Sequence, residues 1–304
     1  MRKLHLPVDI SLELFNQLVT PILLYGSEVW GFSNLEQIEV LYRKFIKTIL
    51  FVKPSTPNSM IYGETGSMPI INTVISRMVI FFARIVNGKQ SKLSAMMYNL
   101  SRKKHYSDDE YFSDWIHTLE NTLSHLGMYD IWLFQGNGFC TNFIKNSVKR
   151  KILDTYMQEW SAEVQMHDFC DLYQYFKTNS NLEKYLIELT FYQRLILTKW
   201  RLRSNNLPIS KTRFELNDDV VCPFCPDYIG DEIHYLFVCK FFDEDREKYC
   251  PELLHCNNHR VYLYNIFNGQ NRNVLYKIIP LLDLIMKIFT HEKEWISNLD
   301  ISID

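Results

Sequence analysis

A chain of 304 residues is long enough for one large domain or two to three small ones, and an apolar share of 47% with 14% aromatics excludes wholesale disorder. A formal charge of −2 excludes a uniformly basic nucleic-acid coat, although phosphate binding needs only a local positive face. Ten glycines and ten prolines are few, so turn punctuation is sparse and helix is favoured.

At the N-terminus MRKLHLPVDI carries charge, His and Pro where a secretion signal needs an apolar run, and the seven cysteines are odd in number. An intracellular chain, nuclear or cytoplasmic and not secreted, is expected. From Leu12 the residues Phe15, Leu18, Val19, Ile22 and Leu23 recur at three- and four-residue spacing, which predicts an amphipathic helix that Pro21 kinks or ends. A second helix is predicted over 35–52 through Ile38, Leu41, Phe45 and Ile49. PSTPNS at 54 to 59 breaks the chain, with Ser55 or Thr56 offered as a helix cap. Helical patterns continue over roughly 69–87, 109–126, 139–165 and 182–204, separated by polar breaks such as GNG at 136 to 138 and TNSN at 178 to 181. The last runs from Val274 to Phe289 with Pro280 inside it as an expected kink. The apolar runs at 78 to 86 and 278 to 289 are too short, and too interrupted by charge, to span a bilayer. The expected fold is mostly α, a helical array with a small Cys-Cys-His-Cys zinc-binding module near the C-terminus.

That module is read from VCPFCPDYIGDEIHYLFVC, where Cys222, Cys225, His234 and Cys239 follow the spacing Cys-x2-Cys-x8-His-x4-Cys. Two cysteines two residues apart reach one ion when the backbone between them turns tightly, and Pro223 favours such a turn. His234 and Cys239 complete three thiolates and one imidazole, a set that suits Zn2+ and leaves no position open for water, so the site is structural rather than hydrolytic. Five residues of ideal helix rotate by about 500°, leaving those two side chains roughly 140° apart, so the helix must loosen or end near Cys239. Asp231 is placed to cap it, and Tyr235, Leu236 and Phe237 supply an apolar pad. The competing reading is a set of reduced, buried cysteines beside a surface histidine. Cys140, Cys170, Cys250 and Cys256 lack such spacing and read as ordinary thiols.

Upstream, KWRLRSNNLPISKTRF at 199 to 214 holds Lys199, Arg201, Arg203, Lys211 and Arg213 without an acid, and carries Trp200 and Phe214. Phosphate contact plus base stacking uses such a segment, and a solvated helix face is the competing reading. Lys145, Lys149, Arg150 and Lys151 form a second basic cluster, and RKKH at 102 to 105 a third. YSDD at 106 to 109 matches the string with which reverse transcriptases hold two magnesium ions, but lacks flanking apolar strands, so Asp108 and Asp109 are read as a helix N-terminus. No phosphate-binding loop, dinucleotide fingerprint or His-Glu-x-x-His occurs, and no catalytic residue is assigned.

ISLELFNQLVTPILLYGSEVWG at 10 to 31 resembles the segment after the palm in reverse transcriptases of LINE-type, non-LTR retrotransposons, through Pro21, Leu23, Tyr25, Gly26, Glu28 and Trp30. RKFIKTILFVKPSTPNSMIYGETGSMPI at 43 to 70 resembles that family's next helix, Thr-Pro-Asn link and Gly-Glu-x-Gly-x-x-Pro turn, and WRLRSNNLPISKTRF with the cysteine motif resembles the elements around its zinc-binding module. The resemblance implies a thumb-like helical segment at 1–66, a helical linking region at 67–215, and a zinc-binding module with C-terminal helices at 216–304. It implies a non-catalytic part that binds RNA and/or DNA, with fingers, palm and catalytic aspartates upstream. The alternative is a host-recruited zinc-containing protein-interaction module; the acidic flank Asp243, Glu244, Asp245 and Glu247 fits a protein partner as well as it fits a solvated helix.

Overall fold

The computed structural model describes residues 6–31, 35–107, 112–211, 220–268 and 272–290. Helix dominates, and among the described residues the one sheet is a two-stranded hairpin, so the fold is mostly α as expected. Contacts divide the chain into two compact units, one drawn from 1–9, 46–66 and 164–304 and the other from 10–45 and 67–163. Both are discontinuous in sequence, a property that no linear division of the chain displays.

The unit of 10–45 and 67–163 is built on the helix Ile70–Val86, which buries Val74, Met78, Phe82 and Ile85 at helical spacing. Its core includes Ile116, Leu119 and Leu123 of the Asp114–His125 helix and Ile144, Val148 and Ile152 of Thr141–Met166. Pro69 stands at the N-cap of Ile70–Val86 and offers no side-chain acceptor. The Glu39 carboxylate takes that role from afar, accepting from the Ile70 N–H at 2.8 Å and the Ile71 N–H at 3.3 Å. The first helical run is not ended by Pro21: Val8–Leu14 widens into a π-turn at Phe15–Val19 and resumes at Thr20–Leu23 with Pro21 in its first turn, where a missing N–H costs least.

In the other unit, Asn58–Thr65 is buried on nearly every side. The predicted cap at Ser55 or Thr56 is not used, since Pro57 stands at the N-cap without a side-chain bond. Gly66 ends this helix at φ +64°, and the Thr65–Leu182 bridge beside it leaves so little room that a Cβ at Gly66 would lie 2.5 Å from the Leu182 nitrogen. Gly66→Ala therefore combines left-handed strain with a backbone clash, and is expected to lower unfolding free energy by about 2–4 kcal/mol, read from the denaturant midpoint. The predicted helix 182–204 is two, Tyr185–Glu188 and Phe191–Arg201, because Thr190 and Gln193 form a capping box that restarts the chain. Arg272–Thr290 runs on through Pro280. No single described helix is long and apolar enough to cross a membrane, and Asn58–Thr65 with Ile70–Val86 reach that composition only when counted together across a bend.

Candidate metal centre

The four sequence-predicted ligands are brought together by two local devices. Val221–Cys222 and Cys225–Ile229 pair antiparallel with Cys222 opposite Cys225, so Pro223 and Phe224 make the tight turn between them. His234 opens a π-turn, His234–Val238, in which the Cys239 N–H donates to the His234 carbonyl at 2.8 Å. A π-turn is wider than an α-turn and brings residues i and i+5 toward one face, and the chain then leaves the helix at Cys239 with φ −63° and ψ 114°. The helix thus both loosens and ends where the ligand spacing demands. Asp231 caps it, its carboxylate accepting from the His234 N–H at 2.7 Å.

One ligand atom from each of the four residues lies within 4.8 Å of the others. The Cys222 and Cys239 sulfurs are 3.9 Å apart and those of Cys225 and Cys239 3.8 Å, and all the cysteines are free thiols. A disulfide needs about 2.05 Å. A tetrahedron with zinc–sulfur arms of about 2.3 Å has edges of about 3.8 Å, which these separations match. Neither ring nitrogen of buried His234 finds a hydrogen-bond partner of oxygen or nitrogen among the described residues. The cysteine sulfurs are thus the polar groups nearest the ring, and a metal bond to one of its nitrogens would give it a strong partner. The donor set fits a zinc ion that Cys222, Cys225, His234 and Cys239 would hold. Tyr228 stacks on the His234 ring at 5.3 Å and 19°, fixing its plane.

The Cys222 and Cys239 sulfurs are close enough to share a hydrogen bond. A hydrogen bond from Cys239 is the largest of several that draw the Cys222 thiol down to about 5, aided by Tyr235 and the Phe224 backbone, while the same sharing and burial push Cys239 upward. A cation added among these atoms displaces the remaining protons, since thiolates are the ligands.

Around the ligands sits a shell that the sequence reading missed. Arg246 is fully buried and donates to the Tyr235 carbonyl at 3.0 Å, to the Cys239 carbonyl and to Asp243 at 2.5 Å. It grips the backbone of the turn that carries His234 and Cys239. Its only sequence signal was a lone arginine in the acidic run DEDRE, read there as an acidic flank. Phe224 stacks on Phe241 at 3.8 Å and 7°, and Tyr235, Leu236 and Phe242 are buried, so the expected apolar pad is present and larger than foreseen.

The expected phosphate contacts are placed differently. Arg201 has a fully buried side chain whose guanidinium grips the Glu64 carboxylate at 2.7–3.2 Å through Nε and Nη2, between the rings of Phe176 and Tyr185. Burial opposes its charge, yet Glu64 and Glu183 hold it more firmly protonated than an ordinary arginine. Burial likewise opposes the Arg203 charge, which Glu232 restores through an ion pair at 3.0 Å, with Asp171 as a second partner. Phosphate contact through either arginine requires breaking these bonds. Trp200 is buried as well, its Nε1–H donating to the Leu282 carbonyl, so it offers no stacking face. Lys199 is half-buried, Lys211 ends the short helix Pro208–Lys211, and Arg213 and Phe214 lie outside the described residues. The segment is mainly a buried tie: Arg203 joins it to Glu232, two residues before the ligand His234.

Arg203 adopts φ +49°, where glycine is usual, as the end of the Phe191–Arg201 helix is closed by the Ser204 N–H donating to the Lys199 carbonyl at 2.8 Å. That conformation costs about 1–2 kcal/mol, offset by what the guanidinium binds. Elsewhere, Lys145, Lys149 and Arg150 are exposed on Thr141–Met166, in a run without acids from 141 to 153 and without an ion pair among the described residues. Tyr106 and Ser107 of YSDD end the helix Leu93–Ser107, and Asp108 and Asp109 lie outside the described residues. Compared with known proteins, the chain matches no family model, no curated sequence and no solved structure.

Proposed function

We propose that the chain is a non-catalytic, nucleic-acid-binding part of a LINE-type reverse transcriptase, stabilised by one structural zinc at Cys222, Cys225, His234 and Cys239. The observation that carries this reading is the closed donor set, three sulfurs and one imidazole within 4.8 Å, in a shell that holds them by backbone contacts. A second observation supports it: two segments that carry the resemblance, the Gly-Glu stretch, which is helical here, and the Arg-x-Arg stretch, meet in the Glu64–Arg201 ion pair. Because Arg201 and Arg203 are occupied, phosphate contact falls to exposed cations, among them Lys145, Lys149 and Arg150, which share an acid-free stretch of Thr141–Met166.

Binding of single-stranded RNA and of DNA by the zinc-loaded chain should weaken steeply as salt rises. Replacing Lys145, Lys149 and Arg150 by Ala together should lower affinity and reduce the slope of log affinity against log salt by about 2–3, at about 0.7–0.9 per phosphate contact. Absence of binding to either nucleic acid would overturn the reading. It would favour the protein-interaction module, for which the supporting observation is a row of exposed apolar side chains, Ile10, Leu14, Leu18, Ile22, Tyr25 and Val29, at three- and four-residue spacing.

A further inference from the structure

The unit of 10–45 and 67–163 contains two adjoining cavities that the proposed function leaves unused. The larger, about 510 Å3, is walled by Val29, Phe81, Met97, Tyr98 and Trp115, and Phe112, 61% exposed, also lines it. The smaller, about 310 Å3, is lined by Glu28, Arg77, Ile80, Phe81 and Arg84. They share Phe81 and meet at the consecutive residues Glu28 and Val29. An aromatic chamber therefore opens beside two guanidinium groups that stand seven residues apart on one face of Ile70–Val86.

The aromatic walls are fixed before any ligand arrives. The Trp115 Nε1–H donates to the Glu28 carbonyl at 2.8 Å, Phe81 meets Trp115 edge-on at 6.3 Å and 86°, and Tyr98 meets it at 6.0 Å and 81°. At the other end, Arg77 is aimed by a 2.6 Å bond from Nη1 to the Leu24 carbonyl. Glu28 lines the same cavity, yet neither Arg77 nor Arg84 forms an ion pair among the described residues. Two arginines left without a carboxylate suit an anion that guanidinium binds through several N–H groups, which phosphate does. One carboxylate lines each cavity, Asp114 the aromatic chamber and Glu28 the other, but only the second adds two guanidinium groups, so the charge belongs at the arginine end and the flat apolar part beside Trp115. Serine hydroxyls at Ser94 and Ser101 line that chamber and can meet polar edges of a ring. The sizes fall in the usual range for small-molecule sites, about 300–1,000 Å3.

We infer that this composite cleft binds a nucleotide, its base in the chamber of Phe81, Met97 and Trp115 and its phosphate on Arg77 and Arg84. The nucleotide is either free or one residue of a single strand. For the second source the inference deepens the nucleic-acid reading above and rests on it.

The test titrates the zinc-loaded full chain with 5′-AMP, adenosine and inorganic phosphate by calorimetry, then uses 5′-AMP to compete against a single-stranded oligonucleotide. AMP should bind more tightly than adenosine or phosphate alone. Arg84→Ala, at an exposed position, should weaken AMP about tenfold, the loss of one charge-assisted bond of about 1.4 kcal/mol, and leave adenosine unchanged. Met97→Trp, which fills the chamber, should reduce both AMP and adenosine, with circular dichroism confirming the fold of each variant. Competition with the oligonucleotide assigns the strand-borne source, and AMP binding without competition assigns the free one. AMP binding equal to adenosine, or indifferent to Arg84→Ala, overturns the phosphate assignment. Salt-dependent oligonucleotide binding without AMP binding overturns this inference and leaves the nucleic-acid reading standing, whereas AMP binding without oligonucleotide binding does the reverse.

Discussion

Stripping zinc from the full chain with a strong chelator is expected to unfold the stretch from Val221 to Leu253, seen as loss of amide-exchange protection there. The helix Ile70–Val86 and residues 141–163 of Thr141–Met166, in the other contact unit, should keep their protection. A closed Cys3His site contributes about 10–16 kcal/mol of apparent binding free energy in small zinc-finger peptides, and that energy is available to folding because the unfolded chain lacks the site. The loss here should be several kcal/mol rather than the full amount, since burial of Tyr235, Leu236 and Phe242 contributes to the same local fold. Cys239→Ser should reproduce the effect, because Cys239 lies within 4 Å of both other sulfurs and its carbonyl is held by Arg246. Cys140→Ser, at an exposed free thiol, should change nothing. Mass spectrometry under native conditions should show one zinc per chain in the parent and none in Cys239→Ser. A parent free of zinc, or an unchanged exchange pattern after chelation, would contradict a structural metal.

The clustering of Cys222, Cys225, His234 and Cys239 was legible because coordination would impose spacing on sequence. Cys-x2-Cys needs a hairpin turn, and His-x4-Cys needs a helix that widens or stops, and the chain supplies both at those positions. Amphipathic helices such as Ile70–Val86 were legible for a similar reason, since one face of their period is buried. Leu93–Ser107 escaped because its large apolar residues, Leu93, Met96, Met97 and Leu100, are exposed and only Ala95 and Tyr98 are buried. Asn58–Thr65 escaped for the opposite reason, having no exposed face to set a period against. The roles of Arg201 and Arg203 were not legible. A run of cations without acids reads as surface when partners are sought nearby, but Glu64 is 137 residues from Arg201 in sequence and Glu232 is 29 from Arg203. Charge pairing across such separations is a property of the fold, and no local pattern records it.

The Arg201–Glu64 pair carries the other large expected effect. Arg201→Met leaves the Glu64 carboxylate, wholly buried, with Tyr185 at 2.6 Å but without its main counter-charge, and breaking one partner of a buried pair costs about 3–5 kcal/mol. Removing both charges, as Arg201→Met with Glu64→Leu, should recover much of that loss, because the pair itself repays little more than its own desolvation. The pH dependence separates this account from simple loss of packing. In the parent chain, burial pushes the Glu64 carboxyl up, but Arg201, Lys177 and Tyr185 together hold it below its ordinary value. A carboxyl depressed in the folded state gives stability that is present above its unfolded value, about 4.3, and lost as pH falls through the lower folded value. In Arg201→Met, desolvation, the largest influence on Glu64, loses its strongest opponent and raises the folded value above the unfolded one. The stability that a raised carboxyl contributes is full below its unfolded value and lost as pH rises through the folded one, so the deficit of the variant should shrink as pH falls from 7 toward 4. Denaturant titrations at pH 7, 5.5 and 4.5 measure this directly. A deficit that stays constant, or grows on acidification, would mean that Arg201 acts through its contacts with Phe176 and Tyr185 rather than through the charge of Glu64.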